Sequence, residues 1–314
     1  MRVLIAGGAG FLGSHLCDRF IAEGHAVVCL DSLITGRAAN VAHLEERGSF
    51  QIVRGSVCDA ALLASLGRFE AILHFASPAS PIDYVKMPFD TVQAGSTGTW
   101  ALLDLARAHG ARFMLASTSE IYGEPLEHPQ TERYWGNVNP IGVRSVYDES
   151  KRFSEMLTAL YHREHGLDTI IIRIFNTYGP RMRVDDGRVV TTFIRQALRG
   201  EPLTVNGDGT QTRSMCFHTD LVEGIHRALT SGEHDPINLG NPEETTMRAL
   251  ADTVIGLTRS ASRITRRDMP PDDPTRRCPD ISRARAVLGW EPQVRLADGL
   301  AATISWVESE ICGA

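Results

Sequence analysis

The chain has 314 residues, 43% of them hydrophobic and 22% charged, with 32 Lys and Arg against 38 Asp and Glu for a formal net charge of -6. That length and apolar content can bury a full core, in one large domain or two unequal ones. The acidic balance excludes a general attraction to nucleic acid, so any anionic ligand has to be met by locally placed arginines. The first apolar run, Val3 to Ala6, gives way at once to glycines and is too short for a signal-peptide core or a membrane span, so the chain reads as cytoplasmic and without a membrane partner. Short, branched apolar runs then follow at Ala26–Leu30, Phe50–Val53, Ala71–Phe75, Arg112–Ala116 and Thr169–Ile174, as strands buried on both faces do. Helical patterns separate them. This alternation predicts an α/β fold of Rossmann type, a doubly wound parallel sheet over residues 1–175. After Ile174 the texture changes to loops rich in Gly, Pro and Arg, with helices predicted at Val189–Leu198 and Met247–Leu257. A smaller, discontinuous C-terminal substrate-binding domain is expected over 176–295, with two segments, about 220–239 and 296–311, returning to the large domain.

The six cysteines (Cys17, Cys29, Cys58, Cys216, Cys278 and Cys312) form no C-x-x-C pair and no His/Cys grouping at metal spacing. Reduced thiols are expected, with no disulfide framework and no metal site.

The first strand runs into Gly7-Gly8-Ala9-Gly10-Phe11-Leu12-Gly13 and then an amphipathic helix to Glu23 with Gly24 as its C-cap, the context a dinucleotide fingerprint requires. Glycines permit the tight turn, and the helix N-terminus offers N–H groups to a pyrophosphate. Gly7, Gly10, Phe11, Leu12 and Gly13 are therefore candidate cofactor contacts. Asp31 ends the second strand ~20 residues on, where a carboxylate accepts both ribose hydroxyls and repels a 2′-phosphate. NAD is expected over NADP, although Arg37 in the next loop keeps NADP open.

Ser145-Val146-Tyr147-Asp148-Glu149-Ser150-Lys151 carries the candidate chemistry. A free tyrosine has a pKa of ~10 and is a poor base at neutral pH unless its phenolate is stabilised. Lys151 lies one helical turn after Tyr147, where its ammonium favours the phenolate and can also bind the nicotinamide ribose. Taken alone, the pair is equally the pattern of an exposed helix face. Thr118, beyond the fifth strand, adds a hydroxyl at the carboxyl edge of the sheet, where ligands bind in such folds.

With these residues in view the chain resembles the extended short-chain dehydrogenase/reductase superfamily over essentially its whole length, and within it the UDP-glucuronic acid decarboxylases, or UDP-xylose synthases. The resemblance rests on Ser117-Thr118-Ser119-Glu120-Ile121-Tyr122-Gly123, Asn139-Pro140-Ile141-Gly142, Tyr147-Asp148-Glu149-Ser150-Lys151 and Ile174-Phe175-Asn176-Thr177-Tyr178-Gly179-Pro180-Arg181-Met182. It continues through Asp186-Gly187-Arg188-Val189-Val190, Gln211-Thr212-Arg213, Asn238-Leu239-Gly240-Asn241-Pro242-Glu243-Glu244 and Leu288-Gly289-Trp290-Glu291-Pro292. It implies NAD-dependent decarboxylation of a UDP-sugar, UDP-glucuronate, through a C4-keto intermediate to UDP-xylose, released UDP-4-keto-xylose, or both. Thr118, Ser119, Glu120, Tyr147, Lys151 and Arg277 are then catalytic, with Glu120 at the decarboxylation and protonation step and Arg277 near the sugar carboxylate. Tyr84, Asn176, Arg181, Arg188, Arg213 and Arg277 fall to the substrate; arginines suit a diphosphate because they donate forked hydrogen bonds.

Neighbouring dehydratases place an Asp-Glu pair after the threonine to expel a hydroxyl; Ser119 stands at the Asp position here, and a carboxylate-bearing substrate would be repelled by that second acid. A nucleotide-sugar 4-epimerase remains the alternative, and a non-catalytic NAD-sensing protein a more distant one. Four positions depart from the resemblance: Ser56 for an adenine-facing aspartate, Gly95 for an asparagine, Cys278 for a lysine, and Met215-Cys216-Phe217-His218 for a more aromatic run. Apolar residues on more than one face of the helices around 92–106 and 147–161 (Leu102, Leu103, Met156, Leu157 and Leu160) fit the helix-bundle homodimer the resemblance implies, and a buried core explains them almost as well.

Overall fold

A computed structural model describes residues 1–269 and 276–312. The first half of the chain comprises β1 (Arg2–Ala6), α1 (Phe11–Ala22), β2 (Ala26–Asp31), β3 (Phe50–Arg54), α2 (Ala60–Ser65), β4 (Ala71–His74), α3 (Pro81–Lys86), α4 (Pro88–Gln93), α5 (Thr99–His109), β5 (Arg112–Thr118) and α6 (Ser145–His165). The rest comprises β6 (Thr169–Ile174), β7 (Thr177–Tyr178), α7 (Val189–Leu198), β8 (Leu203–Asn206), β9 (Thr212–Ser214), β10 (Cys216–Phe217), α8 (His218–Thr230), β11 (Ile237–Leu239), β12 (Glu244–Thr246), α9 (Met247–Thr258), β13 (Ile264–Arg267), α10 (Ser282–Leu288) and α11 (Leu296–Cys312).

All six strands expected from the apolar runs form, and with β11 they make one parallel sheet in the order β11-β6-β5-β4-β1-β2-β3. Because successive strand residues point to opposite faces, each run feeds two cores. Val3, Ile5, Cys29 and Leu73 pack with Leu16 and Phe20 of α1 and Leu221 and Ile225 of α8. Leu4, Val28, Ile72 and Leu115 pack on the other face with Leu102 and Leu103 of α5 and Leu157 of α6. The carboxyl ends of β1, β4, β5 and β6 open onto the site.

Between α4 and α5 the chain makes one wide turn over Ala94–Gly98, held by Ser154 Oγ donating to the Gly95 carbonyl at 2.6 Å. A β-carbon at position 95 would lie 2.7 Å from Ser150 Cβ. The approach of α6 thus accounts for glycine where the resemblance has asparagine.

A third core belongs to the C-terminal unit: Tyr178, Phe193, Leu203, Leu250 and Val254 close around Leu300, Ile304 and Val307 of α11. Segment 220–239 supplies α8 and β11 to the large sheet. The expectation that 296–311 also returns there needs correction. α11 packs chiefly on α7 and α9, burying Leu300, Ile304 and Val307 in the third core, and Arg37–Glu310 ties its end to the large unit. Sequence periodicity also missed the pairs β7/β10, β8/β13 and β9/β12, whose strands of two to four residues are too short to show alternation.

Candidate active site

β1 delivers the chain to Gly7, whose φ of 81° and whose closeness to the Phe75 backbone, 2.6 Å from any added β-carbon, admit glycine alone. At Gly13 a side chain would run into the Gly7 carbonyl, and α1 starts at Phe11 with no side-chain cap on its first N–H groups. These glycines, with Phe11 and Leu12, form one end of a cavity of about 480 Å³. Asp31 lies in an adjoining cavity of about 100 Å³ that shares Gly7, Gly10 and Phe75 with the first. Its carboxylate accepts from the Ala9 amide at 3.0 Å and the Leu33 amide at 2.8 Å; burial raises its pKa and these donors oppose the rise. Arg37, the one feature favouring NADP, pairs with Glu310 at 2.5 Å. A dinucleotide therefore fits: pyrophosphate on the glycine turn and diol at Asp31.

At the other end β5 and α6 bring the reacting groups together. Thr118 ends β5, and Tyr147 and Lys151 sit in the first turns of α6, all three at most 8% exposed. Burial and then the Glu120 charge push Tyr147 up to about 12, against which the Thr118 hydroxyl hydrogen bond works. Lys151 Nζ lies 5.8 Å from the Tyr147 ring centre but donates to the Ala116 carbonyl at 2.8 Å. Lys151 is thus turned to the backbone, and Thr118 is the neighbour whose hydroxyl favours the phenolate. Burial lowers Lys151 to about 8. Tyr84 of α3, 1% exposed, stacks on Tyr147 with ring centres 5.2 Å apart and planes 6° apart.

Glu120 follows in the turn after β5. Its carboxylate receives both terminal nitrogens of Arg277, one at 3.0 Å, and Arg144 Nη2 at 2.5 Å. Burial opposes the charged form, yet the Arg277 and Arg144 guanidiniums outweigh it and hold Glu120 down to about 2. Asp148 responds in the opposite sense: burial, then the Glu120 charge, raise it to about 7. Ser119, 2% exposed, stands beside Glu120 on the cavity wall.

Asn176, Arg181, Arg188 and Arg213 line the same cavity from the C-terminal unit. Arg188 lies 3.6 Å from Asp186, Arg213 Nη1 donates to the Thr212 carbonyl at 2.8 Å, and Arg181, with φ of 68°, pairs with Asp18 at 2.7 Å. Arg181 is therefore anchored to α1.

Sequence reasoning missed Arg144 and the Asp83–Arg183 pair, whose two carboxylate oxygens each lie 2.9 Å from Arg183 Nη2 on the cavity wall. Arg144 lies between the Asn139–Gly142 run and Tyr147, both already singled out, so its place next to the helix start was the available pointer.

The family model for GDP-mannose 4,6 dehydratase matches residues 4–303. Two Arabidopsis thaliana proteins, UDP-glucuronic acid decarboxylases 4 and 3, are 53% and 52% identical over 96% of this chain, which spans 67% and 87% of theirs. The chain belongs to the UDP-glucuronic acid decarboxylase family. Among solved structures, the dTDP-glucose 4,6-dehydratase DesIV of Streptomyces venezuelae, with NAD bound, superposes with a TM-score of 0.92 at 30% identity, covering 100% of this chain and 98% of that one. Against that family background the departures have distinct settings. Ser56 lies in the smaller cavity with Asp31, and its hydroxyl accepts from the Cys58 amide at 3.1 Å. Cys278 is buried behind Arg277, and His218 stacks on His15 with ring centres 3.9 Å apart. Met215 lines the main cavity near Arg213.

Proposed function

We propose that this protein decarboxylates UDP-glucuronate through a C4-keto sugar, with Tyr147 as base. The observation that carries the reading is the meeting, in one cavity that begins at the glycine turn, of Thr118, Tyr147 and Lys151 with a carboxylate clamped by Arg277 and Arg144. NAD, when bound, supplies hydride uptake from C4 and its later return. Tyr147 takes the C4 hydroxyl proton, with Thr118 fixing its orientation and Lys151 adding positive charge behind the ring. Oxidation makes the sugar a β-keto acid, whose ketone accepts the electron pair released as carbon dioxide leaves, so no acid is needed for a leaving group; the enolate that remains takes its C5 proton from water. A carboxyl held near 2 is a poor proton donor at neutral pH. We therefore assign Glu120 to orienting Arg277 and Arg144 rather than to protonating C5, a change from the role the resemblance implied. Arg188, Arg213 and Asn176 are assigned to the nucleotide diphosphate and Tyr84 to the sugar.

A substrate panel tests the assignment. UDP-glucuronate should be consumed and dTDP-glucose left intact; loss of water from dTDP-glucose would favour a dehydratase instead. Lys151→Met should move the acid limb of the rate profile to higher pH, because removing a cation near the phenol raises the pKa at which it ionises. An unchanged limb would leave Lys151 a binding role only.

Because the Ser56 hydroxyl is engaged by Cys58 and carries no charge, it forfeits a charge-assisted contact of ~1.5–3 kcal/mol to an adenine amino group. Part of the 4-keto sugar should therefore escape together with NADH, and Ser56→Asp should reduce both. Full conversion to UDP-xylose without added NAD would refute this.

A homodimer is the proposed assembly. Of the residues expected to serve it, Leu102, Leu103 and Leu157 are taken up by the core, but Met156, with Phe89, Trp100 and Phe153, leaves an exposed apolar face on α4, α5 and α6 suited to a second copy. No helix among the described residues is long and apolar enough to cross a membrane. The six free cysteines support the cytoplasmic reading.

A further inference from the structure

Outside the active cavity the fold gathers three donors that lie far apart in sequence. His128 Nε2, a Glu244 carboxylate oxygen and Cys278 Sγ are all within 4.8 Å of one another. We propose that they form a binding site for one divalent transition-metal ion of the zinc class.

The donors stand on a rigid frame. Gln130, fully buried, pairs with the chain at Cys278: its amide donates to the Cys278 carbonyl at 2.9 Å, and its Oε1 accepts from the Cys278 amide at 2.9 Å. The Asn238 side chain donates to the Gln130 carbonyl at 3.0 Å. His128 and Cys278 are thereby held on neighbouring segments, and Glu244 begins β12, which pairs with β9. The Thr212 hydroxyl donates to the other Glu244 oxygen, an outer contact of the kind that orients a ligating carboxylate. His128 Nε2 is 2.9 Å from Glu244 Oε2, and the Cys278 thiol, 5% exposed, reaches the Pro242 carbonyl at 3.2 Å. Thiolate, imidazole and carboxylate together suit a tetrahedral ion and leave a fourth position on the exposed side. Calcium and magnesium prefer an all-oxygen set, which this is not.

One cation already competes for the place. Arg276 Nη2 lies 3.1 Å from His128 Nε2 and 3.5 Å from Glu244, and its side chain is 56% exposed. An incoming ion has to displace this guanidinium, which has room to swing into solvent. Cys278 directly follows Arg277, so a bound ion would pin the backbone that carries the Glu120 clamp. Lysine at 278, as in the resemblance, would abolish the site. It is thus a property of this sequence.

Cobalt(II) titration of the reduced 314-residue chain tests the proposal, since a cobalt thiolate gives a near-ultraviolet charge-transfer band. The band should saturate at about one ion per chain and disappear on adding zinc. Cys278→Ser should abolish it, while Cys312→Ser, at an exposed cysteine, should leave it intact. His128→Ala, which removes a surface ligand without opening the core, should weaken binding at least ~10-fold, the lower end of what even an outer contact costs. Arg276→Ala should tighten it by a factor of about 2–5, the release of a weak surface ion pair. Absence of the band, its survival in Cys278→Ser, or unchanged affinity in His128→Ala would overturn the assignment.

Discussion

Tyr147→Phe should lower the rate of carbon dioxide release by ~100-fold or more, since general-base catalysis typically contributes 10²–10⁴-fold, while NAD affinity stays within about twofold. The split follows from position. In the proposed binding mode the Tyr147 hydroxyl, beside Thr118 and the Glu120 charge, faces the sugar, whereas the pyrophosphate and diol would be met by the glycine turn and Asp31. The ring itself remains, so the stack on Tyr84 and the start of α6 survive the change. Steady-state carbon dioxide release together with NAD titration checks both halves. Near-normal turnover in this variant would show that another group is the base.

Arg277→Ala should be comparably severe, lowering decarboxylation by ~10²–10³-fold, the usual loss when one preorganised charge partner is removed from a closed site. Arg277 is 3% exposed and makes a two-pronged contact to Glu120, so its removal leaves a buried carboxylate with fewer partners. The pKa of Glu120 should then rise from about 2. Arg144 still reaches Glu120, so Arg277→Ala should retain fold and cofactor binding, measurable by near-ultraviolet dichroism and NAD titration. Equal losses in NAD affinity and carbon dioxide release would place Arg277 in general architecture instead.

The large sheet was readable because strands buried on both faces need continuous apolar runs, and Val3–Ala6 or Thr169–Ile174 satisfy two cores at once. The glycine turn was equally readable, since positions 7 and 13 exclude side chains by direct collision. What sequence order does not encode is which distant loops share a charge. The Glu120–Arg277 pair spans 157 positions and was reached only through family resemblance; Arg144 was not reached at all. Nor did helical spacing predict that Lys151 would donate to Ala116, because the direction of a buried ammonium is set by the nearest carbonyl that can replace water. The destination of α11 was misjudged for a related reason: an apolar stripe states that a helix must be covered, but not by which neighbour.

The most direct test follows the carbon that decarboxylation removes. UDP-glucuronate bearing an isotope label in the C6 carboxyl should lose that label as carbon dioxide when incubated with the purified protein and NAD, leaving an unlabelled UDP-pentose or its 4-keto form. Retention of the label in a nucleotide hexuronate inverted at C4 would contradict decarboxylation and make the protein an epimerase.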